Sequence, residues 1–164
     1  MTNFSTKLLA SAAAITTGLA FGAVDVQAKE LKIATFMSPK HHLNSVVFTE
    51  LAAAVGQATG GSTTMKLFTG GQLGKGPVQQ YKRVVDNVAE VTFGIQGYTS
   101  KIFPRTMVLG QPGVGTSAIE VTRKLWAIHD QYLSGEYKRV KVLGLWANTP
   151  PVIISKKPIH KMSD

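Results

Sequence analysis

A strand–helix–strand pattern near residue 30 constrains the fold more than any other feature of this 164-residue sequence. Residues 31–36 begin with an alternation of apolar and polar side chains, which predicts a β-strand. Apolar residues then recur over 47–58 with the spacing of one helix face, and Asn44 or Ser45 could cap this helix. Residues 64–68 alternate again. Two strands joined by a helix should lie parallel, with a right-handed connection.

The same succession of strands and helices continues along the chain. Ser117 and Glu120 stand three residues apart, like a capping box, at the start of the clearest helix, which Gly135 would end. The other predicted elements are a helix over 77–85 and strands over 91–95, 140–145 and 152–154. The sequence therefore predicts an α/β fold with a mainly parallel sheet flanked by helices.

Residues 1–28 have the layout of a secretory signal rather than of a folded element. Lys7 precedes an apolar stretch over 8–24, and small side chains before Lys29 suit a signal peptidase. A membrane anchor is the alternative, but Thr16, Thr17 and Gly18 dilute the apolar run below what a bilayer span requires. We expect an exported chain that is cleaved between Ala28 and Lys29.

Composition narrows the classes of function. The sequence has 18 basic and 9 acidic residues and a net charge of +9, which residues 29–164 alone retain. Nucleic acid, an acidic membrane surface and a small organic anion all remain possible partners of such a chain. The absence of cysteine excludes disulfides, thiolate zinc sites and cysteine nucleophiles. An apolar fraction of 44% excludes a disordered polyelectrolyte.

Catalytic and metal-binding patterns are missing from the sequence. No serine lies in a G-x-S-x-G turn, no close pair of carboxylates suggests acid–base catalysis, and the four histidines are scattered. The sequence predicts no enzyme, no metal site and no cofactor. The basic residues over 156–161 lack interleaved aromatic side chains, so we interpret them as a solvated face rather than a nucleic-acid site.

A glycine-rich loop over 70–76 lies between a predicted strand and a predicted helix. It fails the phosphate-binding pattern G-x-x-x-x-G-K-[ST], because three residues separate Gly70 from Gly74 and Gly76 replaces the hydroxyl residue. Two alternatives remain: backbone N–H groups and Lys75 that face a bound anion, or an ordinary turn.

Ligands of open α/β sheets bind outside the carboxyl ends of the strands. Trp126 lies beside the apolar stripe of a helix and is predicted to pack there, whereas Trp146 follows a strand and could face a cleft. The candidate ligand-binding residues are Phe36, Met37, Lys75, Gly94, Gln96, Tyr98, Trp146 and Asn148.

Several short segments follow one another in a characteristic order along residues 31–164. They are Leu31-Lys32-Ile33, Leu67 to Gly74, Val91 to Gly94, Phe103-Pro104, Leu109 to Pro112, Leu125-Trp126, Val142 to Trp146 and Lys157-Pro158-Ile159. In this order they resemble the DctP-type periplasmic solute-binding proteins of tripartite ATP-independent periplasmic (TRAP) transporters. Only the segment that ends in Gln72-Leu73-Gly74 is a distinctive local motif.

The resemblance implies a two-lobed α/β clamp in the periplasm that closes on a small organic acid. The clamp would deliver the acid to the TRAP membrane permease subunits for uptake driven by an ion gradient, without an ATPase, nucleic acid or cofactor. A cationic secreted interaction module that binds anionic polymers is the alternative function.

The resemblance also implies a division of the chain. Residues 1–28 would be the signal peptide, 29–145 the N-terminal lobe, and 146–164 the crossing strand and the start of a second lobe that is largely missing. The family's main carboxylate-binding arginine would lie beyond Asp164, so we expect weak binding by this chain alone. Pro151 stands where sialic-acid-binding members carry an arginine, which favours a smaller or more hydrophobic carboxylate.

Overall fold

The computed structural model describes residues 28–149 and 154–161. The predicted signal peptide, except Ala28, and most of the predicted strand at 152–154 lie outside the described residues. The elements in chain order are β1 (Lys29–Ala34), α1 (Thr49–Ala58), β2 (Thr63–Phe68), α2 (Gln80–Val85), β3 (Val91–Thr92) and α3 (Ala118–Ile128). Shorter turns are π-helical at Leu43–Phe48 and His129–Leu133 and 3-10-helical at Gln96–Thr99, Thr106–Gly110 and Ser134–Tyr137.

Three parallel strands form the sheet of the described residues, in the order β2-β1-β3. β1 pairs with β2 along its whole length, from Lys29 opposite Thr63 to Ala34 opposite Phe68. β3 pairs with the other side of β1 only at Ile33 and Ala34. The prediction of an α/β fold with a parallel sheet flanked by helices is therefore confirmed.

The helix between β1 and β2 begins differently from the prediction. No side chain caps it, and the π-helical segment Leu43–Phe48 leads into α1 instead. Asn44 is buried in this segment: its amide nitrogen donates to the carbonyls of Met37 (3.0 Å) and Ser38 (2.8 Å), and its oxygen accepts from the Thr35 hydroxyl (2.9 Å). The predicted cap is wrong because Asn44 holds the turn after β1 rather than the end of the helix.

The π-helical segment also shifts the buried face of this helix. Its hydrogen bonds close over five residues instead of four, so the apolar positions change phase relative to a regular α-helix. Leu43 and Phe48 are buried, whereas Val47, which the spacing predicts on the inner face, is 44% exposed. Leu51 and Val55 are half-buried, as the spacing predicts.

The start of α3 largely follows the predicted capping box. The Ser117 side chain accepts a hydrogen bond from the backbone N–H of Glu120 (3.2 Å). The Glu120 carboxylate reaches back one residue further than expected, to the N–H and hydroxyl of Thr116 (2.9 and 3.0 Å). Gly135 does not end the helix, because α3 stops at Ile128 and π-helical and 3-10-helical turns continue to Tyr137.

Val140 is a bend and residues 141–145 have no regular secondary structure, so the prediction of a strand over 140–145 is wrong. Along the described part of the chain, none of these residues joins the sheet. The segment is attached to α3 instead: the Leu145 carbonyl accepts from the Trp126 indole N–H, and the Ala147 N–H donates to the Thr122 hydroxyl, both at 2.9 Å. Its alternating pattern favours a strand locally, but a strand also needs a paired neighbour.

Two apolar clusters form the core. The cluster against the sheet contains Ile33, Met37, Leu43 and Phe48. Ile33 is fully buried, and burial of such a side chain contributes about 1.5–3 kcal/mol. The second cluster joins α3 to the turns after it and contains Phe103, Leu125, Leu133, Tyr137 and Leu145. No helix within 28–149 or 154–161 is long and apolar enough to cross a bilayer.

Candidate ligand-binding site

A cavity of about 550 Å³ lies between β3 and the chain at 140–148. Residues 90–96 form one wall, and residues 140–146 together with Asn148 form the other. The flanking helices contribute apolar side chains, including Leu51 and Tyr81. The volume falls within the roughly 300–1,000 Å³ typical of small-molecule sites.

Three aromatic rings, which we call the aromatic row, follow one another at the carboxyl edge of the sheet: Phe36, Phe93 and Trp146. Phe36 and Phe93 have centroids 6.1 Å apart and planes 23° apart, and Phe93 and Trp146 are 5.5 Å and 17° apart. Tyr98 meets Phe36 edge to face, at 6.2 Å and 87°. Both arrangements are those that aromatic quadrupoles prefer. Phe93 and Trp146 also line the cavity.

The topology of the sheet brings this row together. Phe36 follows the end of β1 by two residues and Phe93 follows β3 directly, and parallel neighbours end at the same edge of a sheet. Trp146 reaches the row because the residues on either side of it, Leu145 and Ala147, are bonded to α3. Helix α3 therefore holds Trp146 in position at the end of the aromatic row.

Polar groups lie beside the row. The Gln96 amide donates to the Tyr137 hydroxyl at 3.5 Å, and that hydroxyl lies 3.1 Å from the hydroxyl of Thr106. Burial raises the pKa of Tyr137, against the opposite effect of its hydrogen bonds to Thr106 and Gln96. Tyr137 is therefore a neutral phenol at physiological pH. The exposed Asn148 amide lines the cavity on the opposite wall.

The structure places the predicted site residues in three groups. Gly94, Gln96, Trp146 and Asn148 line the cavity. Phe36 and Tyr98 are linked to it through the aromatic row. Met37 is a buried core residue, and Lys75 is exposed on the glycine-rich loop. Contact between any of these residues and a ligand stays a prediction.

Sequence reasoning missed Arg83, which organises the glycine-rich loop. Arg83 is buried, and its guanidinium donates to the carbonyls of Leu73 (3.1 Å), Lys75 (3.0 Å) and, more weakly, Gly76 (3.5 Å). A Cβ atom at Gly74 would lie only 2.7 Å from Nη2 of this guanidinium. The apolar spacing of the predicted helix gave no signal that a basic residue faces inward.

Gln80 is the second buried polar residue of α2 and joins the loop to the sheet. Its amide nitrogen donates to the Gly76 carbonyl (3.2 Å), and its amide oxygen accepts from the Thr92 hydroxyl (2.7 Å). Val78 belongs to the predicted helix over 77–85 but lies before α2 and is 50% exposed. The carbonyls of the loop thus face Arg83 and Gln80, while an anion-binding role of its N–H groups and Lys75 stays a prediction.

Metal-binding potential is absent from the described ranges, in which no three His, Cys, Asp or Glu side chains come close enough together to hold an ion. His129 and Asp130 form a single contact of 2.8 Å between neighbouring residues.

No protein-family model matches this chain, and no curated protein matches it. Solved structures do match. A TRAP solute-binding protein from Rhodoferax ferrireducens, in complex with copurified benzoate, is 30% identical, with a TM-score of 0.65 over 71% of this chain and 36% of that one.

Two further structures match at lower identity and support the fold alone. A marine metagenome TRAP solute-binding protein specific for aromatic acid ligands, with 3-hydroxybenzoate, is 23% identical, with a TM-score of 0.68 over 73% of this chain and 38% of that one. A TRAP periplasmic solute-binding protein from Bordetella bronchiseptica, with bound mandelate, is 22% identical, with a TM-score of 0.54 over 71% and 37%.

This chain spans little more than a third of the length of each of these proteins. Within that third, the parallel order β2-β1-β3 and the flanking helices correspond to one lobe of a periplasmic-binding-protein fold. The resemblance that the sequence order predicts is therefore confirmed: over about 70% of its length, this chain is similar in structure to periplasmic solute-binding proteins of TRAP transporters.

Proposed function

We propose that this chain is the extracytoplasmic solute-binding component of a TRAP transporter and captures a small organic acid. The observation that carries the proposal is the cavity beside β3. Its lining runs from Glu90, before the strand, to residues 94–96, after it, and so includes the carboxyl edge of the parallel sheet, where ligands of such folds bind. The ligands of the matched proteins, benzoate, 3-hydroxybenzoate and mandelate, are all carboxylates, which supports an acid as the solute.

The chemistry of the cavity agrees with an anionic ligand. The amides of Gln96 and Asn148 line it and can donate hydrogen bonds to a carboxylate. The net charge of +9 raises the local concentration of anions around the protein. Lys75 would add to this field, and Phe36, Met37, Gly94, Tyr98 and Trp146 are the proposed apolar contacts.

The similarity to TRAP solute-binding proteins supports a proposal for the location and partners of this protein. We place the protein in the periplasm, exported by residues 1–28, with TRAP permease subunits as its partner. Binding would close a lobe onto the ligand by a hinge motion, and the permease would take up the released acid with an ion gradient. Residues 146–164 would lead towards a second lobe. The matched proteins are solute-binding proteins, so we propose binding without catalysis.

The test is a binding screen of the purified full chain against small mono- and dicarboxylates. Ligand-observed NMR detects millimolar dissociation constants, and calorimetry follows any tighter ligand. We expect weak binding of at least one acid, with loss of that binding in the double variant Gln96→Leu, Asn148→Leu. The absence of binding by every acid in the screen would contradict the proposal.

The high positive charge favours one alternative, an interaction module for anionic polymers. Such binding releases counterions, so its affinity falls steeply as salt rises. The test is a titration of the full chain with duplex DNA between about 50 and 200 mM salt. A protein with several phosphate contacts loses affinity by orders of magnitude over about this range, so such a loss would favour the interaction module.

A further inference from the structure

The free face of Trp146 is the most distinctive feature of the cavity. Phe93 is the one ring of the described residues that stacks on this indole, and a planar ring has two faces. Trp146 lines the cavity and is still 45% exposed. One face of the indole is therefore covered by Phe93, and the opposite face, which we call the free face, has no aromatic partner among the described residues.

Two glycines line the cavity next to rings of the aromatic row: Gly94 follows Phe93 directly, and Gly144 precedes Trp146 by two residues. A Cβ atom at Gly144 would lie 3.6 Å from the six-membered part of the Trp146 ring, so the missing side chain leaves that surface uncovered. A Cβ atom at Gly94, across the cavity, would meet only the Gln80 Cβ at 3.8 Å. Both glycines line the cavity, and together they leave a gap next to the aromatic row.

Hydrogen-bond donors for a carboxylate line the cavity: the amides of Gln96 and Asn148 and the ammonium group of Lys141. Gln96 follows β3 on one wall of the cavity, and Asn148 lies two residues after Trp146 on the other. The acidic lining residue, Glu90, precedes β3 and so lies towards the other end of the strand, where its carboxylate accepts the Lys32 N–H at 2.7 Å. A carboxylate beside the amides avoids this like charge. A sugar acid would bring several hydroxyl groups to a surface of aromatic rings, which cannot replace their hydrogen bonds to water.

We infer that Trp146, supported by Phe93 and Phe36, makes this site selective for aromatic carboxylates over aliphatic and sugar acids. The ring of the ligand would stack on the free face of Trp146, and its carboxylate would accept hydrogen bonds from Gln96 and Asn148. The inference rests on the proposed function, because it specifies the acid that the proposed site takes.

The experiment compares two acids of nearly equal size that differ in aromaticity, benzoate and cyclohexanecarboxylate. Dissociation constants are measured by ligand-observed NMR on the full chain. Offset stacking of aromatic rings predicts that benzoate binds roughly 3- to 10-fold more tightly. The benzoate protons should also shift upfield, because they lie over the indole ring. Glucuronate, as a sugar acid, should bind more weakly than either.

Three variants assign the preference to a residue. In Trp146→Leu, benzoate and cyclohexanecarboxylate should bind about equally tightly. The dissociation constant of cyclohexanecarboxylate should stay within about twofold of its value for the unmodified chain. Trp146→Phe retains a ring and should retain most of the preference. Tyr132→Leu is the matched control, since it removes an aromatic side chain that is 51% exposed and lies outside the cavity, and it should change neither acid.

The outcomes separate the inference from the function on which it rests. Equal binding of the two acids by the unmodified chain, or tighter binding of glucuronate, overturns the aromatic selectivity and leaves acid capture supported. Binding of no acid overturns both. If Trp146→Leu fails to fold, the ratio and the upfield shifts of the unmodified chain, together with Trp146→Phe, still decide the question.

Discussion

Replacement of the buried Arg83 should destabilise the lobe more than its position on a short helix suggests. Arg83→Met removes the guanidinium and keeps an unbranched apolar side chain in the same space. The glycine-rich loop then loses the donor that joins the carbonyls of Leu73, Lys75 and Gly76. No carboxylate forms an ion pair with Arg83 within the described ranges, so these carbonyls carry the whole interaction.

The expected magnitude follows from the geometry of the three bonds. A hydrogen bond with a charged donor contributes about 1.5–3 kcal/mol. The bonds to Leu73 and Lys75, at 3.1 and 3.0 Å, have normal lengths, and the bond to Gly76, at 3.5 Å, adds little. Water can reach the exposed Lys75 and Gly76 once the loop relaxes, which recovers part of the loss. We expect a decrease of about 2–4 kcal/mol in the free energy of unfolding.

The measurement is urea unfolding of the full chain followed by circular dichroism and tryptophan fluorescence. Arg83→Lys should lose about half as much as Arg83→Met, because an ammonium cannot reproduce the planar arrangement of donors. Lys82→Met is the matched control: Lys82 is an exposed neighbour whose ion pair with Asp86 contributes only about 0.3–0.5 kcal/mol. A value for Arg83→Met within 0.5 kcal/mol of this control would refute the reasoning.

Three further predictions concern single side chains. Asn44→Leu leaves a buried hydroxyl and two carbonyls without their partner, so urea unfolding should show a loss of about 2–4 kcal/mol, and a loss below about 1 kcal/mol would contradict it. Gly74→Ala forces a Cβ against the buried guanidinium at a φ of +127°, and should lower the free energy of unfolding by about 1–3 kcal/mol in the same assay. Gly76→Ala, at a φ of +83° with open space around the Cβ, should lower it less. The reverse order would be evidence against steric strain at Gly74. A hydrogen bond from Lys124, with others from the preceding turn, lowers the pKa of Glu120 from 4.5 to about 2. The stability that this carboxylate contributes is thus complete above about pH 4.5 and is lost as the pH falls towards 2. Glu120→Gln should therefore flatten the decline of the urea midpoint between these pH values. An unaltered pH profile would show that Glu120 does not cause the decline.

The sequence predicted the parts of the fold that depend on local periodicity. The alternation over 31–36 and 64–68 corresponds to β1 and β2, and their parallel pairing follows from the intervening helix. It failed at residues 140–145, which alternate in the same way but have no paired neighbour among the described strands. Pairing depends on a partner elsewhere in the chain, and a local pattern contains no information about that partner.

Buried polar residues explain most of what sequence reasoning missed near the site. Hydropathy patterns assign polar side chains to the surface, yet Asn44, Gln80 and Arg83 are among the most buried residues. Each is satisfied by carbonyl or hydroxyl groups of loops whose conformation is not visible in the sequence. Gly94 and Gln96, which follow β3, line the cavity as the strand-end rule predicts; Trp146 and Asn148 also line it, although the segment before them is not a strand, and contact of all four with a ligand stays a prediction.

The two tryptophans illustrate how one local feature can have two roles in the same site. Trp126 and Trp146 are each 45% exposed, so exposure alone does not distinguish them. The indole N–H of Trp126 donates to the carbonyl of Leu145, the residue directly before Trp146. Trp126 therefore helps to hold the segment that presents Trp146, and Trp146 presents its ring to the cavity. Loss of the Trp126 hydrogen bond would make Trp146 less firmly held but would remove no ring from the aromatic row. A substitution at Trp126 should therefore reduce the affinity for an aromatic acid less than a substitution at Trp146 does.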